Sequence, residues 1–211
     1  MNLESLKGIS VFHPGANNIL LPLHLITLDI GQENLAIRYE IIESISTQIN
    51  NQMILPVNNL QNCIRKLIWY ENISLGSTNT KVDKLNQNCT SNIVEPLINF
   101  FNSSNYGSIV ILVERQINQN VKAVRIEQHI ISTFSARIPF AIVGTVDSKS
   151  KYSFFGIDDK KKRKQNGINF SINTFQNIGD QNSLSIINLA DKKDDLADTF
   201  LMTQLFLVQI L

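Results

Sequence analysis

The run SIVILVERQ, residues 108–116, constrains the fold more than any other stretch of this chain. A strand with one face in water alternates apolar and polar residues. A continuous apolar run closed by charge belongs instead to a central strand, with helices covering both faces of its sheet. PFAIVGTV (139–146) has the same character, and LPLHLITLDIG (21–31) reads as a buried strand ending at Gly31. Beyond a tight turn at GQEN (31–34), NLAIRYEIIESIS (34–46) continues in β fashion.

Leu60, Ile64, Leu67 and Ile68 recur at helical spacing and predict a helix over 56–70, with Pro56 near its start. IVEPLINFF (93–101), NVKAVRIEQHIISTFSARI (120–138) and a terminal helix carrying FLMTQLFLVQIL (200–211) complete the helical set. This order predicts an α/β fold, a mixed five-stranded sheet flanked by helices. Residues 1–21, with the turn-rich HPGANN, read as an N-terminal extension to a domain over 22–211. Within that domain, 72–92 reads as a loop insertion, and 147–190 as polar, basic and irregular.

At 211 residues, 43% of them apolar, the chain can build a sizeable globular core. A formal charge of +1 argues modestly against nucleic acid as a partner unless the charge is unevenly placed. It is uneven: Lys149, Lys151 and KKKRK (Lys160, Lys161, Lys162, Arg163, Lys164) crowd one stretch. Cys63 and Cys89 are the only cysteines and lack zinc-ligand spacing, so a reducing compartment without a structural disulfide is expected. No signal peptide is read at the N-terminus. The C-terminal apolar run is too short to span a bilayer and carries Gln204 and Gln209, so a buried core helix is expected and no membrane.

The acids interrupt the apolar runs at telling places. Asp29 is the penultimate residue of LHLITLDI, Glu114 ends IVILVE, and KKDDLADTF (192–200) opens the terminal helix with Asp194, Asp195 and Asp198. A charge set in so apolar a strand is costly unless it is paired or coordinates a metal. On a helix, Asp195 and Asp198 share one face, in the first turn where the helix dipole favours negative charge. Hard cations such as Mg²⁺ take oxygen ligands, and four carboxylates from two strand ends and one helix start would supply them. Each piece alone has a plainer reading. Asp29 before Gly31 is ordinary turn chemistry, Glu114 suits an ion pair with Arg115, and Asp194 is a natural helix cap. Their joint occurrence, each on the right kind of element, favours the metal.

LDIGQENLAI (28–37), VILVERQINQNVKAVRIEQHIISTF (110–134) and KKDDLADT (192–199) together resemble the RuvC-type Holliday junction resolvases. The likeness is to the branch found in poxviruses and other large DNA viruses, related to the fungal mitochondrial resolvases. It covers 22–44 and 106–211. The resemblance implies a ribonuclease H-like fold and a homodimer that places paired nicks across a four-way DNA junction, using Mg²⁺ or Mn²⁺, with two ions per site. Carried over, the metal-binding and catalytic acids are Asp29, Glu114, Asp195 and Asp198, with Asp29 bridging the ions and Asp194 left as the cap. Gln116, Asn120 and Arg125 match the family's strand-to-helix pattern and are expected to line the substrate channel, and at Gly31 a side chain would obstruct the close approach of a phosphate. The 72–92 stretch departs from a compact resolvase.

Lys192 and Lys193 are candidates for phosphate contact near the cut, or a solvated pair ahead of a helix. The run Lys160–Lys164, with Lys149 and Lys151, suits DNA backbone contact, nuclear import or a solvated loop. Tyr152, Phe154 and Phe155 either wedge into an open junction or pack in the core. The rival functions are a broader branched-DNA or R-loop nuclease, a ribonuclease H-like nuclease, and a non-catalytic junction binder. An intracellular location is expected: the host cytoplasm for a viral protein, otherwise a nucleus or organelle.

Overall fold

The computed structural model describes residues 6–13, 19–45, 63–102 and 107–210. Strands β2 (Leu23–Ile30), β3 (Asn34–Ile45) and β4 (Cys63–Ser74) form an antiparallel meander. Strand β5 (Ser108–Glu114) lies parallel between β2 and β6 (Ile142–Val146). Every residue of β2 and β5 is buried, as their unbroken apolar runs require. The expected turn is present, with Gly31 N donating to Asn34 O at 2.8 Å.

The mixed sheet has six strands where five were expected, in the order β1-β6-β5-β2-β3-β4. The sixth, β1 (Ile9–His13), comes from the stretch read as an extension and pairs antiparallel with β6. All five residues of β6 are buried, so an open outer edge there would leave main-chain groups unpaired; β1 covers it. Gly144 permits the approach, since a Cβ there would sit 2.6 Å from Ser10 O.

Side-chain alternation divides the sheet between two helical layers. Ile26, Leu28, Ile30, Ile111 and Val113 pack toward α1 (Val82–Cys89), α2 (Glu95–Asn102) and α3 (Val121–Arg137). Leu23, Leu25, Val110 and Leu112 pack toward α7 (Lys193–Ile210). Outside α7 lie α4 (Ser148–Phe154), α5 (Arg163–Ile178) and α6 (Gln181–Leu189). Helix α7 is therefore sandwiched, and Leu196 to Leu207 are all buried. Thr27 tethers it, its Oγ1 donating to Thr199 O at 2.9 Å and lying 3.0 Å from Thr203 Oγ1. No helix among the described residues is long and apolar enough to cross a membrane.

Three sequence expectations fail for identifiable reasons. The helix over 56–70 is, from Cys63 on, edge strand β4; its start at Pro56 and Leu60 lies outside the described residues. Tyr39 pairs with Trp69 and Glu40 with Leu67, so Ile68 is bulged out. The bulge breaks the alternation and leaves Ile64, Leu67 and Ile68 at intervals that imitate a helix. The 72–92 insertion contains the end of β4, helix α1 and part of a π-helical turn at 90–94. Helix α1 buries only Leu85 and Cys89, too few to show a period. The segment 147–190 is mostly helical. Its longest helix, α5, buries Gly167, Ser171, Thr174 and Phe175, a face of mostly small residues invisible to a search for apolar spacing.

Candidate metal centre

Register carries the first two acids together. Leu28 pairs with Val113 across the parallel β2–β5 ladder, so Asp29 and Glu114 are the next pair on neighbouring strand ends. Alternation points both at the layer containing α7, whose first turns bring Asp198. Carboxylate oxygens of Asp29, Glu114 and Asp198 lie within 4.8 Å of one another, and all three residues are buried. They open on a cleft of about 420 Å³ that Gly31, Arg115, Gln116, Ile117, Asn120 and Asp195 also line.

A cation already stands among them. Lys151 is fully buried, its Nζ 2.9 Å from Glu114 Oε1 and 3.0 Å from Asp198 Oδ2. Burial opposes its charge, but the surrounding acids outweigh that and hold the amine well above its ordinary value. Burial would raise Glu114 as well, yet Lys151 beside it holds the carboxyl down at about 2. Asp29 moves the other way, raised well above the usual range by burial and then by Glu114. Burial also raises Asp198, against the pull of Lys151. One ammonium does not balance three buried carboxylates, and burial and Glu114 both favour the protonated form of Asp29.

This donor set suits a divalent cation. It is all hard carboxylate oxygen, with separations that one coordination shell can bridge, and it is short of positive charge. The trio can therefore hold a metal ion. An ion entering the trio binds the ionised carboxylates and so competes with protons for Asp29. Mn²⁺ binding is thus expected to release protons and to tighten as pH rises through the range where Asp29 titrates. Calorimetric titration in buffers of different ionisation heat reads this directly; a proton count near zero would contradict it.

The remaining candidates are placed as follows. Asp195 is half-buried on the cleft wall and outside the trio, its carboxyl raised by burial and by Asp194. Asp194, expected as a cap, accepts from Lys164 and so links α7 to α5. Burial would raise Asp194, but Lys164 outweighs it and holds the carboxyl low. Gly31 lines the cleft, where a Cβ would come 3.0 Å from Asn34 O; the turn itself calls for glycine. Asn120 caps α3 by accepting from Ala123 N, and Gln116 Nε2 donates to Glu114 O at 3.3 Å. Arg115 does not pair with Glu114, the plainer reading of that acid, but donates to Ser10 Oγ and Thr145 Oγ1. Arg125 is exposed on α3 and does not line the cleft.

Lys149, Lys160, Lys161, Lys162, Lys164 and Lys192 are exposed, Lys193 is half-buried, and Arg163 lines the cleft. Lys151 parts from this group, buried among the acids and facing no solvent. Tyr152 is buried too, its hydroxyl donating to Asp198 Oδ1, while Phe154 and Phe155 pack partly buried against the core. Sequence reasoning missed both Lys151 and Tyr152 as members of the site. A signal existed: they follow the end of a third buried strand, as Asp29 and Glu114 end the first two.

No family model and no curated protein matches the sequence. Solved structures do. RuvC from Thermus thermophilus superposes with a TM-score of 0.54 at 11% identity, covering 89% of this chain and 95% of that one. The yeast mitochondrial Holliday junction resolvase Ydc2 gives 0.53 at 13% identity, over 90% and 80%. These similarities define the fold as ribonuclease H-like, a mixed sheet flanked by helices.

Proposed function

We propose that this chain is a divalent-metal-dependent endonuclease for branched DNA, a Holliday junction resolvase acting as a homodimer. The carrying observation is the meeting of Asp29, Glu114 and Asp198 within 4.8 Å, from two strand ends and one helix start. Their order and flanking motifs are those of the resemblance, in its poxvirus and large DNA virus branch. The fold shared with a yeast protein named as a Holliday junction resolvase supports the same reading. A location inside the cell, in the cytoplasm of an infected host for a viral protein, goes with it.

Asp29, Glu114 and Asp198 would hold Mg²⁺ or Mn²⁺, with Asp195 on the rim available to a second ion. When bound, such ions activate water and stabilise the oxygen that departs from a phosphodiester. The chain's own contribution is to keep the acids fixed, buried and close. Lys160, Lys161 and Lys162 stand just ahead of α5, where the helix dipole already favours anions. Such a concentration of like charge, beside a cleft lined by Arg163, suits a DNA backbone.

The test is nicking of a labelled, immobile four-way junction, with and without Mg²⁺, beside linear duplex, flap and RNA–DNA hybrid. Paired symmetric nicks confined to the junction and dependent on Mg²⁺ are expected. Equal cutting of all substrates would make it a broader nuclease, and binding without nicking a junction-binding protein.

A further inference from the structure

We infer that Tyr152 is a positioning residue for this metal centre: its hydroxyl holds the Asp198 carboxylate in the orientation a divalent ion requires. The inference rests on the function proposed above and adds a side chain that acts only through Asp198.

The two oxygens of Asp198 are held separately from one helix. Tyr152 donates to Oδ1, and Lys151 Nζ lies 3.0 Å from Oδ2. Each carboxylate oxygen has two lone pairs, so both retain one for a cation. With a donor fixed on either oxygen, the carboxylate cannot rotate freely. Asp29 and Glu114 project from neighbouring strand ends, and Asp198 reaches them from α7, where the α4 donors fix how its carboxylate is turned. Burial holds the Tyr152 phenol well above its ordinary value, so at neutral pH it remains a donor.

The ring itself is clamped. A Cβ at Gly167 would come 3.0 Å from Tyr152 Cε1, so α5 packs this close only because that position lacks a side chain. Glycine is a poor helix former, and in the interior of α5 its use is explained by the ring's clearance. One turn earlier, the Arg163 guanidinium lies 4.8 Å over the same ring while also lining the cleft. A phenylalanine would fill this space equally well, so packing alone gives no reason for the hydroxyl.

In the full chain, Tyr152→Phe is expected to raise the Kd for Mn²⁺ about 10-fold and to lower kcat. The KM for junction DNA should stay unchanged, and the metal-free melting temperature should fall only as far as the loss of one buried hydrogen bond to Asp198 requires. Tyr152→p-aminophenylalanine, which restores a donor, should recover Mn²⁺ affinity. A Kd for Mn²⁺ within twofold of wild type in Tyr152→Phe overturns the inference. So does a fall in metal-free melting temperature that the amino variant leaves uncorrected, which would mark a structural role. If wild type and Asp29→Asn bind Mn²⁺ equally, the metal reading itself is wrong, and the inference goes with it.

Discussion

Asp29→Asn is expected to abolish junction cleavage, by well over 100-fold, and to leave junction binding intact. Loss of an outer partner to a metal ligand already costs about 10–100-fold, and Asp29 is proposed as a ligand itself. The amide keeps the size of the acid, so the geometry of the β2 end survives. It removes a buried carboxyl whose charged form burial and Glu114 disfavour, and a neutral amide resembles the protonated form. The metal-free variant should therefore melt no lower than wild type. A stable, junction-binding, inactive protein separates loss of chemistry from loss of fold. Both activities must be read at one salt concentration, because phosphate contacts weaken steeply with salt. Nicking at the wild-type rate would refute a metal role for Asp29.

Lys151→Met carries the largest effect on stability. Its ammonium is the only cation within bonding distance of Glu114 and Asp198 among the described ion pairs. Removing one partner of a buried charge pair costs about 3–5 kcal/mol, because the carboxylates left behind are neither paired nor solvated. For a chain of this size that corresponds to a melting temperature lower by roughly 6–20 °C. A divalent ion should reverse much of the loss, since a ligand at 100 times its Kd stabilises by about 2.7 kcal/mol. The upward shift on adding Mn²⁺ should be larger in the variant, where no ammonium competes for the same oxygens. Thermal melts of both proteins over a Mn²⁺ series test this. Equal melting points without metal would show that Lys151 does not balance the acids.

Much of the sheet was readable along the chain. The runs ending at Ile30, Glu114 and Val146 are continuous and apolar because each strand is covered on both faces, and burial of that kind leaves its mark residue by residue. The edges of the sheet left weaker marks. Strand β1 is short and lies in a stretch without clear period, and β4 carries a bulge that scrambles its alternation. Helix α5 was hidden because its buried face is built of Gly167, Ser171 and Thr174 beside Phe175, with Ser171 and Thr174 bonded to the helix's own carbonyls. Where packing is done by small residues, apolar spacing has nothing to report.

The acids divide in the same way. Asp29 and Glu114 stand out locally, since a carboxylate at the end of an apolar strand conflicts with its neighbours whatever surrounds it later. Asp195 and Asp198 share a helix face by spacing alone, yet only Asp198 joins the buried trio. Lys151 read as one more member of a basic stretch, and only packing turned it inward.

What the sequence determined by itself was the central sheet and the presence of carboxylates at its strand ends, because burial pattern and local conflict are written in consecutive residues. Only the tertiary structure decided which acids converge, which lysine balances them and which tyrosine holds one in place. Those choices depend on strand register and on how α4, α5 and α7 stack, and both bring together side chains that lie far apart along the chain.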